Sequence, residues 1–207
     1  MGDGRRETED EGRVRAVTEI PFSFLTTEGL TIRGDVHAPG NAPAPVVLCV
    51  HGFKGFKDWG FWPETARRLS DAGYCVVRFN FSHSGVGEDL QSFGEPELFE
   101  SGTYSAEVAD LRGVIAAIGA GQLPSAERMD ASRIGLLGHS RGSVATLAVA
   151  ASGEFPVRSI ALSSRRYFWS ESMTSIPALP KVLKRSSSSS EEVISDGSSS
   201  FTSSYSR

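Results

Sequence analysis

The sequence of 207 residues predicts an α/β fold, a doubly wound and mostly parallel sheet with helices on its faces. Three observations carry this expectation. The run Val46–Val50 (VVLCV) is apolar throughout and Ile134–Leu137 (IGLL) holds only apolar residues and glycine, as in buried parallel strands covered on both sides. Segments with apolar residues at helical spacing separate such runs. The stretch from Ile134 to Ala145 reads as a strand, a sharp turn and the start of a helix, with Ser140 at the apex.

The elements follow in order. Glu19–Leu25 alternates apolar and polar residues, and Leu30–Val36 does so again after Thr27-Glu28-Gly29, which predicts an antiparallel hairpin at one edge of the sheet. Residues 38–45 contain three prolines, each without a backbone donor, so pairing stops there. The strand Val46–Val50 then runs straight into His51-Gly52-Phe53-Lys54-Gly55. Phe61–Ala72 reads as a helix with Pro63 in its first turn and Gly73 as its C-terminal cap. Tyr74–Phe81 is the next strand, and a polar loop from Ser82 lasts to about Gly102. Val108, Leu111, Val114, Ile115 and Ile118 form one face of a helix over 103–118. Leu123–Arg133 connects to the strand before Ser140, Ser143–Ala151 is small and helix-compatible, and Val157–Leu162 is a last short strand.

The turn at Ser140 carries chemistry. A serine nucleophile must protrude where a base and an oxyanion site can both reach it, and a strained strand-to-helix turn presents it so. Gly138 and Gly142 flank the serine at positions where a Cβ would collide with the neighbouring strand or helix. A tight turn that merely needs glycines has the same five-residue pattern; the flanking strand and helix favour the nucleophile. The glycine-bearing loop after Val50 ends beside this turn in such a sheet and can aim backbone N–H groups at it.

These residues resemble the α/β-hydrolase superfamily. The likeness rests on Val46–Phe53 with its His-Gly loop, on Tyr74–Gly87, and on Gly138–Gly142, and it covers roughly residues 19–163. Within the superfamily the sequence looks most like bacterial serine esterase and serine aminopeptidase-like members. The resemblance implies a sheet of the α/β-hydrolase type lacking its last strands, and Ser140 as a nucleophile that attacks an ester, thioester or amide carbonyl to give an acyl-enzyme. It implies an oxyanion hole from the backbone N–H groups of Phe53 and Arg141, a small-molecule or peptide acyl substrate, and no cofactor or metal.

The chain departs from the family at the base. Members place an acid and then a histidine after the serine, whereas the four histidines here are His37, His51, His83 and His139. Glu171 and Asp196 are acids by position only, in sequence unlike the family's later strands. His83 follows the end of a strand and would lie on the catalytic side of the sheet, as either a relocated base or an ordinary loop histidine; none of the four is well placed as the base. His51 is expected to shape its loop, His139 to point away from the site, and His37 to sit at the surface of a strand end.

Residues 1–18 form a charged leader, 19–163 a partial hydrolase domain and 164–207 a serine-rich tail; leader and tail have the composition of disordered chain. Three readings of the tail follow: replacement of the family's last third by a frameshift or gene decay, a genuine short variant whose tail binds a partner, or an active enzyme with a relocated base. With its later strands gone, the strand near Val157 would be an exposed edge prone to association.

Composition excludes other classes. Twenty-one basic against 25 acidic residues give a net charge of -4, with no basic face for nucleic acid. No apolar run approaches the roughly 20 residues that cross a bilayer. Residues 1–13 lack the apolar centre of a signal peptide, so a cytoplasmic location is expected. Cys49 and Cys75 read as small buried hydrophobes. Phe53, Phe56, Trp59, Phe61 and Trp62 suit either an apolar acyl pocket or the packing of the following helix.

Overall fold

A computed structural model describes residues 18–90 and 92–163. The expected leader, the serine-rich tail, Glu171 and Asp196 lie outside the described residues, except that Thr18 opens the first strand.

Six strands form one sheet in the order β1-β2-β4-β3-β5-β6. They are β1 (Thr18–Leu25), β2 (Thr31–Ala38), β3 (Ala44–Val50), β4 (Cys75–Asn80), β5 (Met129–His139) and β6 (Val157–Ser163). β1 and β2 are the expected antiparallel hairpin, and β2 also runs antiparallel to β4. From β4 through β6 every pairing is parallel. Among the described residues β6 pairs on one side only, and Leu162 on it is exposed.

Helices α1 (Trp62–Asp71), α3 (Tyr104–Gly119) and α4 (Gly142–Ser152) fall within two residues of the segments that periodicity marks. Thr103 caps α3 by accepting from the Ala106 N–H at 3.1 Å, and Gly153, at φ +69°, ends α4 in the left-handed region. Strand alternation sorts the core onto two faces. Val46, Leu48 and Val50 join Val77, Phe79, Ile134 and Leu136 under Leu111, Val114 and Ile115 of α3 and Ala145 and Val149 of α4. Cys49 and Val76 point the other way, against Trp62 and Ala66 of α1. Burying each large aliphatic side chain contributes roughly 1.5–3 kcal/mol, so α3 and α4 hold the main core. Both cysteines are buried free thiols.

The structure differs from the sequence reading in three places. The loop after β4 contains a short helix, α2 (Pro96–Ser101), and a 3-10 turn, Ala126–Arg128, precedes β5. β5 begins at Met129 because Met129 and Asp130 pair with Ala44 and Pro45 ahead of a register shift. Its polar start, with Ser132 and Arg133 exposed, hides the strand from a hydrophobicity pattern. His37, expected at the surface, is only 4% exposed, since β2 is an inner strand between β1 and β4.

Candidate active site

The carboxyl ends of β3, β4 and β5 meet at Ser140. Ser140 is exposed and sits at φ +53°, one of four non-glycine residues in the left-handed region among those described. That conformation costs an L-residue about 1–2 kcal/mol, and the packing around the turn enforces it. A Cβ on Gly142 would lie 2.2 Å from the His51 carbonyl oxygen and 2.5 Å from that of Val50. One on Gly138 would meet Thr146 Oγ1 at 2.6 Å. The glycines therefore let the turn press against β3 on one side and its own helix on the other.

The loop after β3 lies directly against the turn. A Cβ on Gly52 would be 3.0 Å from Ser140 Cβ and 3.4 Å from the Arg141 nitrogen. Lys54, next to Phe53, is also left-handed at φ +56°, so both segments of the proposed oxyanion hole carry backbone strain. No acceptor among the described residues takes the N–H of Phe53 or of Arg141. Arg141 is the N-cap of α4, an 11-residue helix whose amino-terminal partial charge favours an anion there.

Neighbouring groups fix this loop. The buried His51 ring accepts from the Phe81 N–H at Nε2 (3.2 Å), which puts its proton on Nδ1, 3.0 Å from the Gly52 carbonyl oxygen. Burial pushes its pKa down to about 4, despite the opposing bond to Gly52, so His51 is a neutral clip between β3 and β4. Lys57, at the loop's far end, is tied to Asp35 and Asp58 at 2.6 Å each, and its N–H donates to Asn80 Oδ1 at 2.6 Å. Arg78, 1% exposed, donates to Asp35 at 2.9 Å and to the Lys57 carbonyl at 3.1 Å. Burial works to raise the Asp35 pKa, but the His37 hydrogen bond and the charges of Arg78 and Lys57 outweigh it and hold it low.

His83 borders the site from the end of β4. Its Nδ1 is 2.9 Å from Ser82 Oγ, which donates to the buried Asp110 carboxylate of α3 at 2.8 Å. Burial raises the Asp110 pKa, while the two Ser82 bonds and the His83 charge oppose this. A cavity of about 20 Å³ joins His83 to Phe53, Phe99, Gly102, Glu107 and Arg141. His139 lies edge-on to Phe61 (5.1 Å between centroids) and Trp62 (6.4 Å), on the α1 side.

The five aromatics split accordingly. Trp62 is core at 2% exposed and Phe61 packs beside it, whereas Phe53, 56% exposed, stacks on Phe99 at 5.2 Å. Phe93, Phe99 and Tyr104, absent from the sequence reading, extend that cluster. A larger cavity of about 500 Å³ runs past Pro45, Val47, Gly135 and Ser159, toward the amino ends of the parallel strands and away from Ser140. It brings no nucleophile or base together and is not the site. Glu19, Asp35 and His37 could reach a common metal ion, yet the Arg78 and Lys57 cations already occupy the Asp35 carboxylate.

The alpha/beta hydrolase family profile matches residues 47–201. The chain belongs to the alpha/beta hydrolase family. No curated protein sequence matches it. Solved structures share this chain's fold. A cold-adapted esterase from an Arctic intertidal metagenomic library is 23% identical with a TM-score of 0.56, over 75% of this chain and 64% of its own. The alpha/beta hydrolase GrgF from Penicillium sp. sh18 is 21% identical with a TM-score of 0.55, over 70% and 45%. The hypothetical protein PA2218 from Pseudomonas aeruginosa is 21% identical with a TM-score of 0.53, over 70% and 42%. The chain thus spans less than two thirds of the length of each. No helix among its described residues is long and apolar enough to cross a membrane.

Proposed function

We propose that this alpha/beta hydrolase performs acyl transfer to water through Ser140, cleaving an ester, thioester or amide by way of an acyl-enzyme. One observation carries the reading: an exposed serine held at φ +53° between two glycines that cannot accept a Cβ, beside two backbone N–H groups that no acceptor among the described residues takes. The Ser140 Oγ attacks the carbonyl carbon, its proton passes to a base or to water, and the Phe53 and Arg141 N–H groups take the developing oxyanion; its collapse breaks the bond to the alcohol, thiol or amine, which leaves with a proton, and water then attacks the acyl-enzyme to release the acid and restore Ser140. Each such donor is worth on the order of 3 kcal/mol in a working enzyme. The exposed rings of Phe53, Phe93 and Tyr104 favour an apolar acyl group.

These 207 residues by themselves turn over slowly, because no histidine follows Ser140 among them. His51 is locked as a neutral clip, His37 is buried in the Asp35 network, and His83, held through Nδ1 by Ser82, makes no hydrogen bond to Ser140 among the described residues. A triad enzyme without its base keeps only what binding and the oxyanion hole provide. p-Nitrophenyl esters from acetate to octanoate test this. The expected result is a Ser140-dependent burst near one equivalent, then slow release, with the longer chains preferred and Ser140→Ala silent. Release that is the same in Ser140→Ala would instead support a catalytically inactive hydrolase-like protein that works by binding.

A further inference from the structure

We propose that the Arg141 side chain is a positioning residue that ties the two oxyanion donors together, with Glu107 as its anchor. The proposal rests on the reading of the Phe53 and Arg141 N–H groups as the oxyanion hole.

Arg141 follows the nucleophile, and its side chain turns inward. Its Nε is 2.7 Å from Glu107 Oε1, with side chains 20% and 13% exposed respectively. The two side chains form an ion pair. The guanidinium lies 4.4 Å from the Tyr104 ring centroid and 5.7 Å from that of Phe53, and Nη2 reaches the Gly102 carbonyl oxygen at 3.5 Å. One side chain thus touches the first turn of α3, the end of the loop after α2, and the ring of the other oxyanion residue. The Phe53 ring, largely exposed, has Phe99, Lys54 and Arg141 as its ring and cation contacts.

The arrangement is costly for a mere tether between helices. Burial raises the Glu107 pKa against the pull of the Arg141 charge, and Glu107 Oε2 is buried without a hydrogen-bond partner among the described residues. Glu107 lines the small cavity, whose volume admits about one water molecule. An ordinary tether exists at the other end of the same pair of helices, where the exposed Arg112 of α3 meets Glu154 just past α4 at 3.0 Å. The buried pair sits instead where the N-cap of α4 and Phe53 must keep their N–H groups aimed at one point.

Protonating Glu107 removes the anchor, so the clamp loosens as pH falls through its raised pKa. The groups facing it are Asp110 on its own helix, Arg141 from the turn, and His51, Lys54 and His83 around the cavity.

Amide hydrogen exchange on the full chain tests this without relying on activity. The readouts are the Gly55 N–H, bonded to Gly52 O at 3.0 Å, and the Ser143 N–H, bonded to Ser140 O at 3.0 Å. In Arg141→Met and Glu107→Gln, exchange corrected for intrinsic rate rises about 10-fold at both amides at pH 7.5, while β4 amides stay unchanged. Arg112→Met leaves both as in the wild type. Lowering the pH loosens the wild type toward the Glu107→Gln level and leaves Glu107→Gln unmoved. Fluorophosphonate labelling of Ser140 slows about 10-fold in Glu107→Gln and less in Arg141→Lys. Should Arg141→Met fail to fold, Glu107→Gln and Arg141→Lys carry the test. Unchanged exchange at Gly55 and Ser143 in Glu107→Gln, or equal loosening in Arg112→Met, overturns the clamp. A wild type that never labels at Ser140 sinks the acyl-transfer reading instead, and the exchange data still decide the clamp.

Discussion

Replacing Gly142 by alanine should break the site more than any other single methyl group. The added Cβ would stand 2.2 Å from the His51 carbonyl oxygen and 2.5 Å from that of Val50. A carbon approaches a carbonyl oxygen comfortably at about 3.3 Å, so roughly 1 Å must open. Both obstacles are backbone, at the end of a strand paired to β4 and β5, and neither can rotate away. Overpacking costs about 1–3 kcal/mol, and this geometry belongs at the top of that range. The opening also separates the oxyanion loop from the turn, so a donor worth about 3 kcal/mol is lost, a factor of 100 or more in rate. Gly138→Ala meets the Thr146 hydroxyl at 2.6 Å and Ser143 Cα at 2.9 Å, a lesser obstruction. Gly153→Ala, at φ +69° in open space, costs about 1 kcal/mol of backbone strain alone. Urea unfolding followed by circular dichroism, run beside fluorophosphonate labelling rates, reads both effects. Gly142→Ala within about 1 kcal/mol of wild type and labelling at the wild-type rate would refute the back-to-back packing of loop and turn.

Other outcomes follow from the same geometry. Arg78→Met takes from the Asp35 carboxylate, 1% exposed, one of its two cations and leaves it Lys57 and His37, and should cost about 1–3 kcal/mol; no measurable loss in urea unfolding would contradict a coupled network. Asp35 has a lowered folded pKa, so its contribution is present above its unfolded value near 3.8 and is lost as pH falls through the folded value; Arg78→Met should blunt this acid limb. His51 falls from 6.5 to about 4 on burial, so stability should be full above pH 6.5 and lost on acidification toward pH 4, by on the order of 3 kcal/mol. His51→Gln should flatten that slope in urea titrations, and an unchanged slope would show that the ring is not the source. His83→Gln should leave Ser140 labelling within about 3-fold; a 100-fold loss would instead make His83 the base.

The sheet and the tight turn at Ser140 were legible because burial writes itself into sequence. Val46–Val50 and Ile134–Leu137 face helices on both sides and must be apolar, and Gly138 and Gly142 must lack a Cβ. Chemistry held by long-range contact left weaker marks. Arg78 is a charge inside an apolar strand run, a usable signal, but its partner Asp35 sits 43 residues away on another strand. Glu107 reads like any acidic residue in a helix's first turn, so its pairing with Arg141 had no local trace. Phe93 and Phe99 lie in a stretch read as polar loop, where a six-residue helix is too short for periodicity to reveal. His37 was misplaced because the hairpin was expected at an edge, while only β1 is there.

The most direct test of the account is where a fluorophosphonate lands. Incubating the full chain with the probe and mapping the adduct by peptide mass spectrometry should give a single phosphonylated residue, Ser140, and none in Ser140→Ala. No adduct under forcing concentration, or one on another serine with equal yield in Ser140→Ala, would contradict Ser140 as a nucleophile.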